Sequence, residues 1–267
     1  MLSWTLQVAF PSLEFLNIVG LDNVKKIWHS QLPQDSFSKL KRVKVATCGE
    51  LLNIFPSSML NRLQSLRFLK AEDCSSLEEV FDVEGTNVNV KEGVTVTQLS
   101  QLILRSLPKV EKIWNEDPRR ILSFRNLQSI TIDKCQSLKN LFPASLVRDL
   151  VQLQELDVLC CGIEEIVAKD NGVDTQATFV FPKVTSLELS YLHQLRSFYP
   201  GAHTSCWPSL KQLTVRECYK VNVFAFENPT FRQRHHEGNL DMPLSLLQPV
   251  SFLILPHHVS LNFTLNK

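Results

Sequence analysis

The sequence predicts an α/β repeat solenoid, a stack of short coils with a parallel β-sheet along one side. Three observations carry that expectation. The apolar residues Phe124, Leu127, Ile130, Ile132, Cys135, Leu138, Leu141 and Phe142 lie at offsets 0, 3, 6, 8, 11, 14, 17 and 18 from Phe124. Neither a helical period of about 3.6 residues nor a long strand alternation gives that spacing. The same ruler then fits eight stretches of the chain, and five of the seven cysteines fall on one of its marks. Written out, the core is L-x-x-L-x-L-x-x-C-x-x-L with Ile at two of the Leu places, a leucine-rich repeat.

Coil one starts at Phe10, and the next seven start at Phe37, Leu63, Val96, Phe124, Leu150, Phe181 and Trp207. Each is expected to place a short strand at offsets 5 to 9 with two side chains pointing inward. In order these pairs are Leu16 and Ile18, Val43 and Val45, Leu69 and Ala71, Leu102 and Leu104, Ile130 and Ile132, Leu156 and Val158, Leu187 and Leu189, and Leu213 and Val215. Coil six slips by one residue after Cys161, to Ile163 and Ile166. The starts are separated by 27, 26, 33, 28, 26, 31 and 26 residues, so the extra length belongs in surface loops, chiefly Asp82 to Thr95 and Ala168 to Phe179.

One such unit cannot bury its apolar face alone, whereas stacked units share a continuous core. The expected fold is therefore a leucine-rich-repeat solenoid, an irregular horseshoe with the parallel sheet on its concave side and short helices or irregular segments on its convex side. Pro56 to Leu63 and Pro143 to Leu150 open with proline and carry helical spacing, which marks them as helical returns. A longer period of 86 to 87 residues pairs KKIW with EKIW and NIFPSSMLNRLQSL with NLFPASLVRDLVQL, so three repeats read as a block duplication. The expected divisions are an N-terminal flank over 1–9, the array over 10–227, and a divergent, irregular tail over 228–267. Open array ends are expected to expose apolar core.

Cys48, Cys74, Cys135, Cys161 and Cys218 share offset 11 and are expected to form an inward structural ladder, their thiols meeting loop carbonyls of a neighbouring coil. An odd total of 7 cysteines fits a reduced compartment better than a disulfide framework. Cys160 and Cys206 fall off the ladder. The N-terminus lacks a basic region and is a poor signal peptide, and the uncharged stretch 242–266 is interrupted by Pro243, Pro249 and Pro256, so no membrane span is expected. Its sole N-glycosylation sequon is Asn262-Phe263-Thr264.

A formal net charge of +1, from 28 basic and 27 acidic residues, gives no reason to expect a nucleic-acid partner. The chain contains no G-x-x-x-x-G-K-[ST], H-E-x-x-H, G-x-S-x-G or C-x-x-C. His235-His236 and His257-His258 lack further ligands at metal spacing. Glu78-Glu79 and Glu164-Glu165 resemble catalytic dyads, but they occupy equivalent repeat positions and read as solvated acids beside the turn. Trp28 and Trp114 are copies of one core position. The expectation is no catalytic residue, no metal, no cofactor, and no enzymatic activity.

What remains is the concave face, where strand residues at offsets 5, 7 and 9 point away from the core. The candidate protein-binding surface comprises Arg42, Lys44, Lys70, Arg105, Asp133, Glu155, Asp157, Glu188 and Arg216. Basic residues come early in the array and acidic residues later, a polarity suited to orienting a protein ligand or a neighbouring domain.

FPSLEFLNIVGLDNVKKIW, FSKLKRVKVATCGELLNIFPSSMLNRLQSLRFLKAEDCSSLEEVFD and FRNLQSITIDKCQSLKNLFPASLVRDLVQLQELDV resemble the leucine-rich-repeat region of plant coiled-coil nucleotide-binding disease-resistance receptors. The resemblance spans about residues 8 to 227 and is carried by the recurring C-x-x-L followed by [IL]-F-P-[SA]-S. It implies a cytoplasmic module of innate immunity that senses a pathogen effector, directly or through a guarded host protein, and restrains an ATP-switched nucleotide-binding domain of the parent receptor. Coiled-coil and nucleotide-binding parts are absent from the sequence, so ATP hydrolysis does not transfer, and the reading is a fragment or truncated product of a larger receptor. The alternative is the substrate-binding part of a ubiquitin ligase receptor, whose cysteine-ladder repeats have a similar period but continue as C-x-x-[IL]-[TS]-D after an F-box. Cell-surface receptors differ more, with a regular 24-residue unit, G-x-I-P and cysteine caps.

Overall fold

The computed structural model describes residues 10–28, 32–33, 35–82, 94–114, 122–169 and 177–221, together with the backbone of 261–264. Apolar residues spaced two apart within each coil can reach one core only if the segment between them is extended. All eight such segments are strands at offsets 5 to 9: Phe15–Val19, Arg42–Ala46, Phe68–Glu72, Gln101–Arg105, Ser129–Asp133, Glu155–Leu159, Ser186–Ser190 and Gln212–Arg216. They form one parallel sheet in chain order. The molecule is thus a leucine-rich-repeat solenoid.

Register follows the repeat without slippage. Asn17, Lys44, Lys70, Ile103, Thr131, Asp157, Glu188 and Thr214 form one row across the sheet, because each is the pairing partner of the next. The alternate residues turn inward, and those of coils two to six, from Val43 to Val158, are essentially inaccessible to solvent.

Immediately after each strand the chain must bend sharply towards its return. It does so at offset 10, where Gly20, Thr47, Asp73, Ser106, Lys134, Cys160, Tyr191 and Glu217 all have positive φ between 51° and 69°. Glycine takes this conformation at no steric cost, whereas the other seven residues accept strain of roughly 1–2 kcal/mol each. Hydrogen bonding offsets that strain. The offset-10 N–H of each of the first seven coils donates to the offset-9 carbonyl of the next, from Gly20 to Ala46 at 3.0 Å through Tyr191 to Arg216 at 2.8 Å.

The same carbonyls explain the cysteine ladder. Each thiol donates to the carbonyl two residues earlier in its own coil: Cys48 to Ala46 at 3.3 Å, Cys74 to Glu72 at 3.3 Å, Cys135 to Asp133 at 3.5 Å, Cys161 to Leu159 at 3.0 Å and Cys218 to Arg216 at 3.4 Å. This corrects the expectation that the thiols chiefly serve a neighbouring coil. Cys218 also donates back to the preceding coil, to the Leu189 carbonyl at 3.5 Å. The reason is geometric, since the left-handed turn folds the offset-11 side chain over its own strand end. Between coils, the Cys135 N–H donates to Cys161 Sγ at 3.4 Å. Burial pushes the Cys74 thiol up to about 11 and raises Cys218. The hydrogen bond with Cys135, together with burial, raises Cys161.

On the return side, short parallel ribbons run behind the main sheet. Asn53–Phe55, Glu79–Phe81 and Lys112–Trp114 align so that Phe55, Phe81 and Trp114 share one register. Trp28, Phe55, Phe81 and Trp114 stack in sequence with ring centroids 6.0, 5.6 and 5.4 Å apart. The indole N–H of Trp28 donates to Ile54, and that of Trp114 to Leu141 at 2.8 Å. Both tryptophans therefore satisfy their polar atom on the next coil, as copies of one core position should.

Among the described residues two returns are helical, each preceded by its proline: a 3-10 helix Ser57–Ser65 after Pro56 and an α-helical turn Ala144–Val147 after Pro143. At equivalent places in the duplicated block stand Arg62 and Asp149. Arg62 donates to the carbonyls of Pro33 at 2.7 Å and Ser36 at 3.0 Å. Asp149 instead accepts from Ser123 Oγ at 3.2 Å and lies 3.8 Å from Arg125 Nε. The duplicated position ties a return to the coil before it with either sign of charge.

Coil six shows its one-residue deletion directly. In the ribbon Asn140–Pro143 with Glu165–Ala168, Phe142 at offset 18 pairs with Val167 at offset 17. Gly162 makes this possible, because a Cβ there would lie 1.8 Å from the Gln136 carbonyl oxygen. Beyond coil eight, Leu261–Thr264 pairs antiparallel with Gln212–Arg216. This four-residue strand lies within the 228–267 tail. Its physical basis is the outer edge of the last coil, whose backbone donors and acceptors pair with any extended segment. The central parts of both expected insertions, and the two His-His pairs, lie outside the described residues.

Candidate recognition surface

The strand geometry projects every second side chain away from the core, so the nine residues singled out from the sequence all lie on one sheet face. Register divides eight of them into three groups. Arg42, Lys44 and Lys70 occupy coils two and three, Arg105 and Asp133 sit side by side in coils four and five, and Glu155, Asp157 and Glu188 occupy coils six and seven. Arg216 stands apart in coil eight, opposite Ser190.

The basic group is organised by residues that charge pattern alone did not single out. Phe68 lies opposite Arg42, whose guanidinium carbon is 4.8 Å from the ring centroid, and Lys44 Nζ lies 6.0 Å from the same ring. Such cation–π contacts fix two flexible cations over one platform. Lys70 is different from its neighbours: its Nζ is 2.6 Å from Glu72 Oε1, two residues along on the same face. Its charge is locally compensated, so the basic group is effectively Arg42 and Lys44. The signal was present in the sequence as an acid at offset 9 of the same strand.

Arg105 is flanked in register by Glu72 and Asp133, which makes the middle of the face nearly neutral. The acidic group is less balanced. Burial, followed by the charges of Glu188 and Glu155, raises the Asp157 carboxyl above its ordinary range. Glu188 accepts a hydrogen bond from Ser190 Oγ at 3.0 Å. Among the described residues, none of Arg42, Lys44, Glu155, Asp157 and Glu188 forms an ion pair. At the N-terminal end of the face, Phe15 and Val19 are 60% and 56% exposed.

Glu79 and Glu165, the second residues of the two glutamate pairs, each open a return strand. Glu164 bridges coils five and seven, with Lys139 at 3.2 Å and Arg196 at 3.3 Å, and the hydrogen bond from Lys139 lowers its pKa. Glu165 lies in a strand, where burial and then the Glu164 charge raise its carboxyl. Among the described residues there is no group of three His, Cys, Asp or Glu side chains placed to hold a metal ion. No helix of the described residues is long and apolar enough to cross a membrane.

A stacked parallel sheet with outward charged rows and a buried leucine core defines the class: a leucine-rich-repeat domain. Residues 12–162 match the family model for plant disease resistance protein RPS2-like leucine-rich repeats, and the chain belongs to that family. It is similar to the probable disease resistance protein At4g27220 of Arabidopsis thaliana, at 28% identity over 135 residues, covering 49% of this chain and 14% of that protein. The leucine-rich repeat domain of the type III effector XCV3220 (XopL) aligns over 89% of this chain and 76% of its own, with 16% identity and a TM-score of 0.44. Family membership thus places the chain among the leucine-rich repeats of plant disease resistance proteins.

Proposed function

We propose that the concave face senses a pathogen effector or a guarded host protein, and that the chain is the sensing part of a larger nucleotide-binding, cytoplasmic receptor of innate immunity. The observation that carries this reading is the sheet face itself. Its charged rows are held in strict register by a rigid core, yet Arg42, Lys44, Glu155 and Asp157 make no ion pairs among the described residues. Charges left available on a rigid scaffold are suited to selecting a partner and setting its orientation. The family's membership among disease resistance proteins supplies the biological setting. In this reading the chain catalyses nothing and needs no cofactor, and a nucleotide-binding domain of the parent receptor is a second partner.

The test is position-specific photo-crosslinking in leaf cells, with the probe at Thr131 on the sheet face or at Asn61 on the helical return. Effector-dependent adducts to one effector or host protein from Thr131, and none from Asn61, are expected. Equal yields from both positions, or adducts indifferent to the effector, would overturn it.

A further inference from the structure

The face carries more than a list of charges, because the register fixes their spacing. Along the row of offset 7, Lys44 and Asp157 are separated by four inter-strand steps through Lys70, Ile103 and Thr131. At about 4.8 Å per step this is roughly 19 Å, the span of about six residues of extended chain. Lys70 is held by Glu72, and Arg105 lies between Glu72 and Asp133, so the stretch between the two ends is close to neutral. Gln101, Ile103, Ser129 and Thr131 give it uncharged side chains.

We infer that this face holds a single extended segment of a protein partner laid across the strands, with carboxylates over Arg42 and Lys44 and basic groups over Asp157 and Glu188. The inference rests on the reading of the sheet face as the recognition surface and adds the chemistry and direction of what it recognises. Two features favour a transverse, bipolar ligand. Phe68 gathers both cations at one end, so an acidic group meets two positive charges at once. At the other end Asp157 and Glu188 are direct register partners, which leaves two like charges adjacent until a cation arrives. A uniformly basic or uniformly acidic segment would place repulsive charge over one end, and such like-charge juxtaposition rejects wrong partners.

The experiment uses the full chain and end-capped peptides of about eight residues, a length set by the span above. One carries glutamates at one end, arginines at the other and neutral residues between; the controls are uniformly acidic and uniformly basic. Fluorescence anisotropy at low salt should show the bipolar peptide binding at least about tenfold more tightly than either control. A chain with both Arg42→Glu and Lys44→Glu is acidic at both ends and should transfer its preference to the basic peptide, a gain that misfolding cannot mimic. Equal binding of all three peptides, preference of the native chain for a uniform peptide, or an unchanged preference in the double variant would overturn the proposal. Crosslinking from Thr131 with any of those rankings would leave the sensing role intact and remove only the bipolar ligand.

Discussion

At the scale of single residues, close approach and unshared charge dominate. Gly162 is the clearest case, since only hydrogen fits against the Gln136 carbonyl. Gly162→Ala should cost about 3 kcal/mol or more in chemical denaturation, because the obstacle is backbone and cannot rotate away. Asp157 makes an opposite prediction. Its folded pKa is raised, so the native state holds its proton more tightly than the unfolded chain does. The stabilisation this provides is complete below the unfolded pKa of about 3.9 and is lost as pH rises through the folded value. At neutral pH the ionised Asp157 beside Glu188 therefore opposes folding, by the roughly 0.2–1 kcal/mol typical of a cross-strand pair. Asp157→Asn should raise Tm at pH 7, and the gain should fade in melts near pH 3.5.

At the scale of the element, the repeating unit is a strand, a left-handed turn and a return. The strand's two faces separate stability from recognition. Ile130→Asp places a carboxylate in a fully buried row and should unfold neighbouring coils or cost at least about 4 kcal/mol. Lys134→Asp sits at the exposed offset-10 turn with φ of 54°, where Asp is better tolerated than most side chains, and Tm should change little. Equal losses in the two thermal melts would contradict the register. The turn also explains how Leu107 and Leu192 replace cysteine in the ladder. The carbonyls beneath them, Arg105 and Ser190, already accept the N–H of Asp73 and Cys160 from the coil before. The thiol is a second bond to an already satisfied acceptor.

At the scale of the whole molecule, stability is shared between neighbours along a line. Burial reflects this, for Phe10 and Leu21 of the first coil remain 45% exposed while Phe124 and Leu107, at the same offsets in coils five and four, are sealed. Leu102→Ala should then cost about 3–5 kcal/mol, and Leu16→Ala, at the same offset in a half-buried coil, about 1 kcal/mol, as read by urea denaturation. Hydrogen exchange should follow the same gradient, slowest in the strands from Phe68 to Leu159. The array stores its rigidity in the middle, which is where the charged face must hold its spacing.

Much of this was legible in the primary structure because a repeat states its constraint eight times. The strand limits, the inward rows, the copied tryptophans and the slip in coil six all follow from spacing, since a side chain's offset decides whether it can reach a shared core. The sheet face was legible as a set of positions for the same reason. Other features needed the fold. Lys70 loses its free charge to Glu72, Phe68 becomes the platform for Arg42, and the ladder thiols turn to their own coil, because side-chain direction after a left-handed turn is absent from a pattern of apolar offsets. Leu261–Thr264 obeys no repeat, and its pairing depends on an open edge that exists only once the coils have stacked. Apolar spacing along the chain specifies the coil and what each offset does; stacking of the coils sets which charges remain unshared, because compensation depends on neighbours in space.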